Sequence, residues 1–396
     1  MILKLAWKNL WFKPLNTLLS IILLASSVAI ITLLMLLQKQ FEEQFSSNAD
    51  GIDLVMGAQG SPLQLVLSSV YQVDAPTGNI DYDSAKVWMR HPFVHSAIPL
   101  AFGDNYLGYK IVGTTPEYLS KFNSKIEKGK LFSKNFEVVV GAEIAQKLSL
   151  KLGSQFNGTH GDAKEGEQHD AYKYVVVGIT SKTGKVIDNL ILSNLESVWE
   201  MHHDHELHEE EMQQPKEITA VVLKMRNKMA IMTWPRIIGQ NTQMQAVSPA
   251  IEINRLFTLF GIGLKTLEYL AYGIMLISGI SIFIALYNRL KERKYEFAIL
   301  RLQGASRFQL LLLVLIESLF LCLIGYFFGT IIGRFALYLL SIASEEDFKF
   351  GFHPFEIIWE KEGVLLIITL LVGIVSAFLP AFKAYKMNIS KTLANG

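Results

Sequence analysis

KERKYEFAILRLQGASR, residues 291–307, lies between two long apolar runs. Residues 292–302 are good helix formers. The apolar Phe297, Ala298, Leu300 and Leu302 do not make a run long enough to span lipid, and Gly304 stands where a helix closes on a left-handed residue. The stretch therefore predicts a short charged helix joining two membrane helices. A topogenic loop that only marks orientation is the plainer reading of any basic linker. A docking helix that receives force from a soluble partner is the sharper one.

Working outward, four stretches offer the roughly 20 apolar residues needed to cross about 30 Å of hydrocarbon: 15–37, 263–287, 308–340 and 363–385. The first follows MILKLAWKNLWFKP, residues 1–14, where lysines alternate with Leu, Trp and Phe as in an interfacial amphipathic helix before Pro14 and Asn16 redirect the chain. Its length and the lack of a small-residue cleavage site read as an uncleaved signal anchor. Lysines and arginines gather at residues 4–13, 289–307 and 383–391, whereas the loop at 341–362 is acid-rich. That bias puts both termini and the 288–307 linker on the cytoplasmic side of the membrane. Residues 38–262 then form one large external domain, with spans one and two extended into a stalk, and 386–396 form a cytoplasmic tail.

The external stretch carries short Val- and Ile-rich runs, DLVMGA, YKIVGT, EVVVGAEIA, YKYVVVGIT, NLILS and ITAVVLKM. These read as strands, and SPLQLVLSSVY reads as a helix capped by Ser61 with Pro62 in its first turn. The fold class expected is an α-helical membrane protein with four transmembrane helices and a large extracytoplasmic mixed α/β domain.

With 51% hydrophobic residues, 18% charged and a net charge of +1, nothing suggests nucleic acid. The single Cys322 rules out an intrachain disulfide. GITSKTGKV at residue 178 has one residue too many between its glycines for a phosphate-cradling loop and ends on Val186, so ATP would have to be hydrolysed elsewhere. In WEMHHDHELHEEEM, His202, His203, His205 and His208 among acids suit Zn²⁺ or a similar ion. The tract lacks the H-E-x-x-H spacing of a zinc hydrolase, and a solvated charged loop reads equally well. In the third span Glu317 should face protein, Arg334 should reach outward, and Gly325, Gly329 and Gly333 make a close-packing face for a neighbour within the chain or in a second copy.

The run ERKYEFAILRLQGASRFQLLLLVLIESLFLCLIGYFFGTIIG resembles the signature of the MacB/FtsX-type, mechanotransmission ABC permease family. LPAFKAYKMNISKTLAN resembles that family's closing segment, with Ile389 near the usual proline, and VVVGAEIAQKLSLKLGSQF resembles its periplasmic core domain. The resemblance implies a homodimeric or heterodimeric permease without its own nucleotide site, coupled to a cytoplasmic ATPase subunit that binds ATP and Mg²⁺. It implies docking of that ATPase on Glu292, Arg293, Lys294, Glu296, Phe297, Leu300, Arg301 and Gly304, and motion of the periplasmic domain that exports or extracts a substrate, with periplasmic adaptor or substrate-carrying partners. Metal handling through the histidine loop and an FtsX-like scaffold regulating a periplasmic enzyme are the rival functions.

Overall fold

The computed structural model describes residues 2–160, 172–203, 216–347 and 352–387. Its helices are α1 (Ile2–Leu10), α2 (Pro14–Ala49), α3 (Pro62–Val66), α4 (Tyr82–Met89), α5 (Glu117–Lys121), α6 (Ala142–Lys147), α7 (Leu195–His203), α8 (Lys228–Asn241), α9 (Pro249–Glu292), α10 (Lys294–Leu302), α11 (Arg307–Asp347) and α12 (Trp359–Tyr385). The longer strands are β1 (Leu54–Ala58), β2 (Val94–Tyr106), β3 (Tyr109–Gly113), β4 (Ile126–Gly129), β5 (Glu137–Val140), β6 (Tyr174–Thr180), β7 (Ile191–Ser193), β8 (Ala220–Met225) and β9 (Met244–Val247). The chain divides into two compact units, Met1–Phe41 with Leu259–Gly396, and Glu42–Thr258.

In the first unit α2, α9, α11 and α12 are each long and apolar enough to cross a membrane. α2 has 36 residues and α9 has 44, about 54 and 66 Å at 1.5 Å per residue, well beyond the hydrocarbon thickness. Their surplus, residues 42–49 and 249–258, belongs to the second unit. The unit's core is built from Leu24, Val28, Met275, Ile282, Leu321 and Ala377, while Ile277, Phe327, Phe328 and Phe378 remain at least half exposed. An apolar interior beneath an equally apolar surface is what lipid as solvent demands.

Small residues set the helix spacing. A Cβ on Gly325 would meet Leu24 Cδ2 at 2.7 Å, one on Gly329 would meet Val28 Cβ at 2.6 Å, and one on Gly333 would meet the Ala29 carbonyl at 2.6 Å. The glycine face of α11 is thus occupied by α2 of the same chain. Ser318 on α11 donates to the Gly373 carbonyl of α12 at 2.7 Å. Arg334 does not reach outward alone. It donates to the carbonyls of Pro354 and Glu356 at 2.8 and 2.7 Å and pairs with Glu362 at 2.5 Å, which ties down the α11–α12 loop.

The second unit is built on one mixed sheet, ordered β9-β1-β8-β2-β3-β7-β5-β6-β4. β3 with β7 and β5 with β6 run parallel, and the other neighbours in this order run antiparallel. In β1 and β8 both faces are buried: Val55 and Val222 join one apolar cluster, Leu54, Met56, Val221 and Leu223 another. This explains their unbroken apolar runs, since alternation appears only where one face meets water. The strands expected from the six quoted runs are all present. The 13-residue β2 is an addition: its VHSAIPLAFGDNY contains Pro99 and Gly103, which hide the strand pattern, and its pairing shifts register between Phe102 and Asp104. Ser61 accepts from the Gln64 amide at the start of α3, as expected. Near the Asn48 end of α2, Lys121 donates to the Asn48 carbonyl at 2.5 Å, and the Val186 amide donates to the Asn48 side chain at 2.9 Å.

Candidate functional site

The linker at residues 291–307 folds as a short helix fastened at both ends. α9 stops at Glu292, where Arg293 takes φ −99° and ψ 18° and turns the chain into α10. Arg293 Nε donates to Glu296 at 2.7 Å, so this basic–acidic pair is spent on the first turn of α10. At the other end Gly304 has φ +97°, the left-handed conformation that favours glycine. The Ala305 amide donates back to Leu300 at 3.0 Å and the Gly304 amide to Arg301 at 3.1 Å, a Schellman closure. Arg301 Nη1 adds a bond to the Ala305 carbonyl at 2.6 Å. Ser306 and Gln309 then exchange side-chain and backbone bonds of 3.1 and 2.7 Å, a capping box that starts α11 at once. The Schellman closure and the capping box leave little slack between α10 and α11.

Burial divides α10 into two faces. Phe297 is 5% exposed and Ala298 fully buried, and Leu300 packs against the same core. These residues root the helix in the membrane unit. The side opposite Phe297 and Leu300 carries Tyr295 and Leu302, 52% and 65% exposed, with half-buried Ile299 between them. Positions i, i+4 and i+7 lie on one stripe. Sequence reasoning weighted the charges and Phe297 and Leu300, and missed this stripe. The signal that could have found it is the i, i+4, i+7 spacing itself, which opposes Phe297 on the helical wheel. Of the charged residues expected here, Lys294, Glu292 and Glu296 are exposed, and Glu292 is held by Lys13 at 2.6 Å. The Arg293 guanidinium sits 5.4 Å from the ring centre of Phe12. The turn after α1 therefore braces the α9–α10 junction.

A buried polar cluster lies beside it. Asn9 donates to Glu317 at 2.6 Å and Arg289 donates to Thr17 at 2.6 Å. Glu317 and Arg289 are each 4% exposed. The cluster joins α1 and the start of α2 to α9 and α11, and it keeps these ionisable groups within protein.

For the metal reading, His205 and His208 lie outside the described residues, as do the side chains of His202 and His203. Among the described residues no group of three or more His, Cys, Asp or Glu side chains could hold a metal ion.

Four bilayer-length helices, a short helix between the second and third, and a mixed α/β unit inserted after the first define a membrane protein with a large α/β domain. The family described as MacB-like periplasmic core domain matches residues 15–231, more than half of the chain, and that described as FtsX-like permease C-terminal matches residues 269–389. The chain belongs to the MacB/FtsX-type ABC transporter permeases. It is 26% identical to an uncharacterized ABC transporter permease of Methanocaldococcus jannaschii over 38% of this chain and 36% of that one. It is 32% identical to the macrolide export ATP-binding/permease protein MacB of Agrobacterium fabrum over 30% of this chain and 18% of that one. The matched segments thus span about a third and under a fifth of these relatives. Among solved structures, the periplasmic region of MacB from Actinobacillus actinomycetemcomitans aligns over 53% of this chain and 95% of its own, at 11% identity and TM-score 0.35. The extracellular domain of the transporter YknZ aligns over 49% and 99%, at 10% identity and TM-score 0.31.

Proposed function

We propose that the chain is the permease subunit of an ABC system in which a separate ATPase subunit, holding ATP and Mg²⁺, seats on the exposed face of α10. One observation carries this reading: a short helix, rooted by Phe297 and Ala298 and closed by a Schellman turn, exposes the apolar Tyr295 and Leu302. A flexible linker would dissipate a push, whereas a helix that follows α9 directly and closes tightly onto α11 passes it on. α9 and α2 both run into the second unit, so displacement at α10 reaches the domain that would export or extract substrate. This reading puts the α10 face on the cytoplasmic side of a bacterial inner membrane, where the lysine and arginine excess lies, and pairs two copies of the chain.

The test is co-purification. The tagged full chain, extracted from its native membranes, should bring down an ABC-type ATPase and ATP hydrolysis with it. Tyr295→Ala combined with Leu302→Ala should lose most of both while eluting as the parent does. Undiminished ATPase recovery by that double variant would sink the reading.

A further inference from the structure

Away from α10, three helices of the membrane unit open onto a cavity of about 500 Å³. Each contributes one stripe at helical spacing: Ile31, Leu34 and Gln38 from α2; Leu264, Lys265 and Glu268 from α9; Glu360, Val364 and Ile368 from α12. The cavity exists because α9 parts from its neighbours. Its buried side chains within this unit begin at Ala271 and continue through Met275, Ile282 and Leu286, whereas Leu259, Ile262, Leu267 and Leu270 are all about half exposed or more.

The lining is graded. Ile31, Tyr272, Val364 and Ile368 make an apolar floor, and Lys265, Lys361, Glu268 and Glu360 lie nearer the end where α12 begins. Glu268 accepts from Tyr272 at 3.1 Å. Among the described residues Lys265, Lys361 and Glu360 have no ion pair or side-chain hydrogen bond, although opposite charges share that end. Trp359, 79% exposed and next to Glu360, is the residue type that marks a lipid–water interface. The volume lies within the roughly 300–1,000 Å³ usual for ligand cavities.

We infer that this cavity binds a zwitterionic phospholipid. An acyl chain occupies the floor, the phosphate meets Lys265 and Lys361, and the ammonium meets Glu360 and Glu268. Both headgroup charges are matched, which neither an anionic lipid nor an uncharged apolar ligand achieves. The inference requires only that these helices stand in a bilayer, and holds whether or not an ATPase seats on α10.

The full chain reconstituted in phosphatidylglycerol nanodiscs, doped with a phosphatidylethanolamine carrying a diazirine on its acyl chain, tests it by photolabelling and peptide mass spectrometry. Peptides containing Ile31, Tyr272 or Val364 should be labelled several-fold above those containing Phe327 or Phe378 on the open lipid face. Lys265→Glu with Lys361→Glu should lower cavity labelling roughly tenfold or more, given the strength of lysine–headgroup attraction, and leave the Phe327 and Phe378 signals unchanged as a check on folding. Val364→Trp, which fills the floor, should do the same. Uniform labelling of all spans, labelling insensitive to these variants, or equal labelling by a phosphatidylglycerol probe would overturn the assignment. So would photocrosslinking from Leu34 to a second copy of the chain in place of lipid.

Discussion

The side-chain amide of Asn9 donates to the carboxylate of Glu317 at 2.6 Å, across 308 positions of sequence, and both residues are 4% exposed. The bond makes α1 a fixed part of the bundle, reinforced by the edge-on contact of Trp7 with Phe320 at 5.9 Å. Asn9→Ala leaves a buried acid short of a donor, which should cost about 1–3 kcal/mol. Glu317→Gln, which keeps an acceptor and the shape, should be milder than Glu317→Ala. Melting of the detergent-solubilised chain, followed by size-exclusion recovery after heating, measures both. An unshifted Asn9→Ala would show that α1 is held elsewhere.

Close approach of α11 to α2 depends on the missing side chain at Gly329, where a Cβ would meet Val28 Cβ at 2.6 Å and the Ala25 carbonyl at 2.8 Å. Gly329→Ala should therefore cost about 1–3 kcal/mol by overpacking. Gly273→Ala and Gly363→Ala, with nothing within 4 Å of the added carbon, should be neutral or slightly stabilising. Equal effects at all three positions would refute the packing account.

The two faces of α10 should separate stability from coupling. Phe297→Ala empties a buried site and should destabilise by about 3–5 kcal/mol. Tyr295→Ala and Leu302→Ala remove exposed side chains and should leave melting within about 0.5 kcal/mol of the parent. Their effect belongs in ATPase stimulation measured on the reconstituted complex. A large melting shift in Leu302→Ala would place that residue in the core.

Lys121 gives a pH dependence of definite sign. Burial, with help from the Lys185 charge and against the pull of Asp50, holds its ammonium down to about 7 from an ordinary 10.5. The unfolded chain then binds the extra proton between those values, so stability rises as pH increases from about 7 to 10. Lys121→Met should flatten that rise in melting curves of the full chain recorded across the window. A slope identical to the parent's would contradict the buried setting of this lysine.

Glu137 shows the opposite case. The Ser133 amide, followed by the Lys134 amide and Lys130, holds its carboxyl down to about 2. Its contribution is present above an ordinary carboxyl's pKa of 4.5 and is lost as pH falls toward 2. Glu137→Gln should remove that part of the acid sensitivity, read as a smaller drop in melting temperature between pH 5 and about pH 3.

Much of the architecture was legible in the residues because the forces involved act over a turn or two of chain. Span length and apolarity report transfer into lipid, Gly304 and Ser61 report backbone and capping preferences, and the Val-rich runs report strands buried on both faces. Those features set α2, α9, α11 and α12, the short α10, and the strands β1, β3, β5, β6, β7 and β8.

Partnership was not legible. Nothing local says that Gly325, Gly329 and Gly333 meet Leu24, Val28 and Ala29, that Asn9 meets Glu317, or that Arg334 is taken up by Glu362. The i, i+4, i+7 spacing of Tyr295, Ile299 and Leu302 marks one face of α10, but Phe297 and Tyr295 are both aromatic, and packing against the bundle decides which face turns inward. Each of these depends on contacts between chain segments tens to hundreds of residues apart, whose free energy exists only once the helices have assembled. The same holds for the cavity above Ala271, which no single helix encodes and which appears only where α9 leaves the company of α2 and α12.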